Sequence, residues 1–172
     1  RMESGSVAVK REPVELSALI ERQLALDAPL LEQRNQRLVK DLTPGIVVIG
    51  DASLLGRVAG NLLSNASLYS PEGAEVRVWC GLLDGSPALT VENTGAHISE
   101  DALPHLFEAF YREETSRNRA TGGSGLGLYL VKMILARHGA ECTIENTEDG
   151  VRAAVRFETD AVSGLAAGNM IG

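Results

Sequence analysis

The stretch from Ala74 to Asn93 limits the possible folds more than any other part of the chain. Two β-rich segments, Ala74–Leu83 and Ala88–Asn93, are separated by Asp84-Gly85-Ser86-Pro87, residue types that favour turns. Strands joined this tightly lie antiparallel, because parallel neighbours need a crossover of a dozen or more residues. Glu141–Asn146 and Val151–Phe157 repeat the arrangement over Glu148-Asp149-Gly150, as a terminal hairpin. Arg37–Leu42 and Ile46–Gly50 read as two more strands joined by a Thr43-Pro44-Gly45 turn, after a short extended segment at Glu12–Leu16.

Helical periodicity separates these strands. From Ser17, a candidate N-cap, to about Gln36, apolar residues recur at Leu19, Ile20, Leu24, Leu26, Leu30 and Leu31. A second helix is expected over Ala52–Tyr69, capped by Asp51 and stopped by Pro71, with Ala52, Leu55, Ala59, Leu62, Leu63 and Ala66 on its core face. A short helical stretch follows Ser99, through Leu103 to Phe110. A third long helix opens at the glycine cluster Gly122–Gly127 and runs to about His138, with Gly139 as its C′ residue. Three long helices and about six turn-linked strands specify an α+β fold, a mostly antiparallel sheet covered on one face by helices.

The 172 residues suit one domain, and no internal repeat is evident. No apolar run approaches the roughly 18 to 20 residues that span a bilayer. A net charge of −7 argues against a general nucleic-acid surface. Cys80 and Cys142 fit no zinc spacing and read as buried free thiols. The opening Arg1-Met2-Glu3-Ser4 reads as part of something longer, and the small residues from about Asp160 as a frayed tail.

Three features carry possible chemistry. Gly122-Gly123-Ser124-Gly125-Leu126-Gly127-Leu128 lets backbone N–H groups approach a phosphate at a helix N-terminus. It is not a Walker loop, because Leu128 stands where the lysine must be, and its glycine spacing is not that of a dinucleotide fold. A phosphate site and a flexible hinge both remain open. Asn61 and Asn65, four residues apart, stack on one helix face with Tyr69 a turn further on. An amide oxygen suits magnesium that already carries phosphate and water, and Tyr69 offers a flat surface for a base. A solvated polar face would look the same. Asn93 ends an apolar strand before Thr94-Gly95, where ligands are often held and where simple turns also occur.

Taken in order, these pieces become specific. Asn61-Leu62-Leu63-Ser64-Asn65-Ala66, then Asn93-Thr94-Gly95, then Leu106-Phe107-Glu108-Ala109-Phe110-Tyr111-Arg112, then the glycine cluster, resemble the sequence boxes of the histidine-kinase ATPases. That family shares its fold with the gyrase and Hsp90 ATPases. The resemblance runs from about Glu12 to Phe157 and points to the ATP-binding catalytic domain of a bacterial two-component sensor kinase. The phrasing of Val91–Gly95 is similar, more loosely, to the vancomycin-resistance type.

The resemblance implies a Bergerat-type two-layer sandwich, a mixed, mostly antiparallel sheet under three helices with a mobile ATP lid. Residues 11–159 would form the domain, 1–10 a remnant of the second dimerisation helix and linker, and 160–172 a flexible tail. It implies ATP and Mg2+ as cofactors. Asn65 would ligate the metal, Asn61 would sit beside the triphosphate, Tyr69 would pack on adenine, and Asn93 would accept a hydrogen bond from the adenine amino group. Gly95 would give the base room, with Ile98 beside it. Phe107 and Phe110 would anchor the lid, Tyr111–Gly123, from which Arg112 and Arg117 would reach phosphate oxygens. Gly123, Ser124, Gly125 and Gly127 would bring backbone donors to the phosphates, and Leu126 and Leu128 would steady the third helix.

Three positions depart from the family pattern. Asn93 replaces an aspartate, and a neutral acceptor makes the weaker bond. His97 replaces a glycine, so its side chain either crowds the pocket or faces solvent. Leu68 replaces a lysine. These changes keep open a degenerate, nucleotide-sensing docking module without kinase activity. A serine kinase on the same fold is a further alternative, opposed by the Phe-Tyr-Arg lid entry. None of His97, His105 and His138 stands in a phospho-acceptor motif, and His138 is expected to cap the third helix as a cation. The γ-phosphate would therefore go to a histidine on a separate dimerisation domain, and from there to an aspartate of a response regulator. The expected state is a monomeric cytoplasmic domain of a membrane-bound parent.

Overall fold

The computed structural model describes residues 8–111 and 127–158. In chain order they form β1 (Glu12–Glu15), α1 (Leu16–Gln33), β2 (Arg37–Leu42), β3 (Val47–Gly50), α2 (Ala52–Tyr69), β4 (Glu75–Leu83), β5 (Ser86–Thr94), a single 3-10 turn (Leu103–His105), α3 (Gly127–Ala136), β6 (Ala140–Asn146) and β7 (Gly150–Phe157). Five strands make one sheet in the order β2-β4-β5-β7-β6, and β1 and β3 make a separate two-stranded one. Within the large sheet only β2–β4 is parallel. The helices pack side by side, with α2 between α1 and α3. This is the α+β architecture expected.

Turn chemistry sets the central hairpin. Asp84 and Gly85 both have positive φ, 53° and 83°, so the turn takes two residues rather than four. Leu83 then pairs with Ser86, and Pro87 lies within β5 opposite Leu82. β2 and β3 exist as expected but do not pair with each other. Thr43 extends the ladder by donating to Cys80 O at 2.9 Å; Pro44 then lacks a donor and Gly45, at φ 82°, turns the chain away. β2 instead runs parallel to β4, and β3 pairs with β1.

The first helix starts two residues earlier than a cap at Ser17 would allow. Glu15, not Ser17, is the N-cap, and its carboxylate accepts from Ser17 N at 3.0 Å. Ser17 is buried, and its hydroxyl donates to Thr43 O. At the other end Asn35 adopts φ 54°. It donates to Glu32 O, and Gln36 donates to Leu31 O, so a Schellman closure stops α1 at Gln33. The helix expected between Ser99 and Phe110 is reduced to the Leu103–His105 turn, with Phe110 at φ 68°.

The core lies between the helices and one face of the sheet. Leu55, Val58, Leu62, Leu63 and Ala66 of α2 are all buried, and they meet Val76, Val78, Leu89, Val91 and Val155 in one apolar cluster. Each leucine so buried contributes about 2 kcal/mol relative to exposure. Both cysteines are free: Cys80 is buried, and Cys142 is half-buried, with burial pushing its thiol up to about 12.

His138 is not a cationic helix cap. It is 2% exposed, Nδ1 donates to Ile134 O at 2.8 Å, and Nε2 accepts from Asp51 N at 3.0 Å. Because a backbone N–H can only donate, Nε2 carries no proton in this arrangement. The imidazole thus ties the end of α3 to the start of α2, and it lies so close to Gly50 that a Cβ there would sit 2.4 Å from Cδ2.

Candidate nucleotide site

The residues with possible chemistry converge where α2 packs on β5, beside a pocket that residues of β7 also line. Asp51 starts that helix, accepting at Oδ1 from Leu54 N and at Oδ2 from Lys10 N, both at 3.1 Å. Burial pushes the Asp51 carboxyl up. The backbone N–H groups of Lys10, Leu54 and Ser53, with the Lys10 charge, outweigh this and leave it below its ordinary 3.8.

From this anchored start the helix carries Asn61, Asn65 and Tyr69 along one stripe. Asn61 Nδ2 donates to the carbonyl of Gly127, the first residue of α3, at 3.2 Å. Asn65 and Tyr69 line a small cavity between α2 and the sheet, together with Asn93, Ile98 and Leu128. Five expected residues are therefore brought together, with Asn61 at the mouth of α3 beside them.

Asn93 is the polar floor of this cavity. It is 4% exposed, and its Nδ2 has no hydrogen-bond partner. The other walls are apolar, from Leu62, Ala66, Val91, Leu106, Ile144, Val151 and Ala153. Sequence reading did not assign these seven to the site, since apolar residues at helix or strand spacing signal only a core. The cavity is small, about 30 Å³, and partly open to solvent. A larger open groove of about 770 Å³ runs between α1 and α2, but of the expected residues it reaches only Asn61. The smaller cavity is the better site because it holds the unpartnered buried amide.

The loop beyond Asn93 is held by a residue that sequence reading missed. The Asn146 amide accepts from Ile98 N at 2.9 Å and donates to Ile98 O at 2.8 Å, mimicking a strand pair and pinning Ile98 in the cavity wall. A side-chain amide after a β6 run gives no sequence signal for such a partner. Gly95 has φ 94°, and a Cβ on it would lie 2.7 Å from Pro71 Cγ. Its need for glycine is thus met by the chain itself. His97 is exposed and bonds through Nε2 to Thr147 O at 2.9 Å, away from the cavity, so of the two alternatives for its side chain the structure shows the outward one.

Phe110 does not join the site. It is 70% exposed, while Phe107 packs against the core and Tyr111 stacks on His105 at 5.4 Å. Gly127 has open space around it. Arg112, Arg117, Gly123, Ser124, Gly125 and Leu126, and with them the expected lid, lie outside the described residues.

Comparison with known proteins identifies the family. Residues 50–162 match the family model described as histidine kinase-, DNA gyrase B-, and HSP90-like ATPase. The chain belongs to this ATPase family. Within the family its relatives are sensor kinases. It is 35% identical to the sensor protein VanSB of Enterococcus faecalis over 150 residues, 87% of this chain and 34% of that protein. It is 36% identical to the signal transduction histidine-protein kinase BaeS of Escherichia coli over 136 residues, 79% of this chain and 29% of that protein. The solved mycobacterial sensor histidine kinase MprB superposes with a TM-score of 0.76 at 30% identity, covering 85% of this chain and 97% of that one. The chain spans about a third of the length of these curated relatives. VanSB and BaeS are equally distant, so the vancomycin-resistance type remains a resemblance.

Proposed function

We propose that this domain binds Mg·ATP with its base over Asn93 and its phosphates towards Asn61, Asn65 and the start of α3, and presents the γ-phosphate to a histidine on a dimerisation domain. The observation that carries this reading is the buried, unpartnered Asn93 amide at the floor of an apolar cavity, one wall of which is the Asn65–Tyr69 stripe. A buried donor without a partner costs stability, and ligand binding would recover that cost.

Each residue has a distinct task. Asn93 hydrogen-bonds the base edge, and Leu62, Ala66, Val91 and Ile98 exclude water around it. Asn65 would offer a neutral oxygen to a magnesium ion brought in with the nucleotide. Among the described residues no three His, Cys, Asp or Glu side chains gather as a metal site, consistent with a metal that arrives with the nucleotide. The magnesium would neutralise phosphate charge. The domain's part in the transfer is positioning, as is general for phosphoryl transfer.

In the full-length protein the phosphoryl group would pass on to a response-regulator aspartate, and the parent would sit in the cytoplasmic membrane with this domain in the cytoplasm. Among the described residues no helix is long and apolar enough to cross a membrane. The domain alone would be monomeric, bind nucleotide and transfer nothing. His97 turns away from the cavity, which removes one reason for the degenerate docking reading.

Titration with Mg·ADP and a non-hydrolysable ATP analogue by calorimetry, beside Asn65→Ala, tests the proposal. Micromolar-to-millimolar binding that weakens at least tenfold in Asn65→Ala is expected. No binding of either ligand to the folded chain overturns it.

A further inference from the structure

Two buried side-chain nitrogens among the described residues have no partner, Arg34 Nε and Asn93 Nδ2. Arg34 still uses its guanidinium, donating from Nη2 to Ser70 O at 2.7 Å. Asn93 is different, since the idle atom is the whole donor end of a side chain that is 4% exposed. Its strand neighbours are engaged: Glu92 with Arg152 and Arg77, and Thr94 with Glu75 N.

The chemistry of the amide decides what can occupy the cavity. A carboxylate presents acceptors only, whereas an amide presents a donor beside an acceptor. A ligand that satisfies both atoms must offer an acceptor next to a donor on one edge. Adenine does so with N6–H and N1. Hypoxanthine and guanine do so with N1–H and O6, once the amide makes a half-turn about χ2 that exchanges Oδ1 and Nδ2. An ionised carboxylate in the same place would set an oxygen against O6.

We propose that Asn93 makes the base subsite of this chain accept 6-oxopurines as well as 6-aminopurines, with Nδ2 donating to N1 of adenine or to O6 of the oxopurine. The inference rests on the nucleotide reading above and adds to it a base selectivity set by one residue. Apart from Asn65 and Tyr69, the surrounding side chains are apolar, so Asn93 is the one buried amide without a partner that faces the base.

The test uses the unaltered chain and three magnesium-bound diphosphates, those of adenosine, inosine and 1-deazaadenosine, titrated by calorimetry. Inosine diphosphate is expected to bind within tenfold of ADP. The 1-deaza compound, which lacks the acceptor for Nδ2, is expected to bind at least tenfold more weakly than ADP. If ADP binds and inosine diphosphate is more than tenfold weaker, the inference is overturned and the nucleotide site stands. If the 1-deaza compound matches ADP, Nδ2 is not used and the inference is equally overturned. If none of the three binds, the nucleotide reading itself fails.

Discussion

Replacing His138 with leucine removes both ring nitrogens while keeping an apolar side chain of similar bulk. Ile134 O still accepts from Arg137 N at 3.1 Å, so its loss is partial. Asp51 N has only Nε2 as acceptor, and it is buried. Leaving such a donor unpaired costs about 1–3 kcal/mol, while a nearly volume-conserving apolar exchange adds little. Stability should therefore fall by about 1–3 kcal/mol, and the melting temperature by about 2–12 °C, given roughly 2–4 °C per kcal/mol at this chain length. The sole tryptophan, Trp79 on β4, reports unfolding in urea by its fluorescence. The Asp51 carboxylate keeps its own bonds to Leu54 N and Lys10 N, so α2 should retain its start and the folded variant its nucleotide affinity. A loss below about 0.5 kcal/mol would refute the reasoning, because it would mean that Asp51 N readily finds another acceptor.

Two further outcomes follow from the same geometry. The folded Asp51 carboxyl lies below its ordinary 3.8, so its contribution to stability is present above that value and is lost as pH falls through the lower folded one. Urea midpoints of the unaltered chain and Asp51→Asn should differ at neutral pH and converge below about pH 4; a difference independent of pH refutes this. A Cβ on Gly150 would lie 1.7 Å from Asn93 O and 2.9 Å from Thr94 Cα, although Gly150 has no positive φ. Gly150→Ala must therefore part β5 from β7 and shift Asn93. A destabilisation of about 1–3 kcal/mol or more together with weaker ADP binding is expected in thermal melts and calorimetry, and an unchanged affinity counts against the placement of the base.

Local periodicity and turn chemistry were legible without a structure. The apolar face of α2, its Asp51 cap, the Asp84-Gly85 turn and the terminal hairpin each depend on neighbours within a few residues. The stripe of Asn61, Asn65 and Tyr69 was legible for the same reason, since helix geometry alone aligns it. What such reading misjudged were ends and partners. Ser17 looked like a cap but serves Thr43, 26 residues away, and the 99–110 segment forms only the Leu103–His105 turn.

The amino-acid sequence by itself determined the long helices and the strands, though not the outcome of the 99–110 segment, and its resemblance to the ATPases named Asn65, Tyr69, Asn93, Ile98 and Leu128 within a longer series of candidates. Only the tertiary structure decided that β2 lies parallel to β4 and that His138 is a neutral tie to Asp51 across 87 residues. It likewise decided that Asn146 clamps Ile98 and that Gly150 must stay small beneath Asn93. The physical reason is the range of the interaction: propensity and periodicity act along a few residues of chain. The partner of a buried donor, or the room left for a Cβ, is set by whichever distant segment the packed core brings alongside.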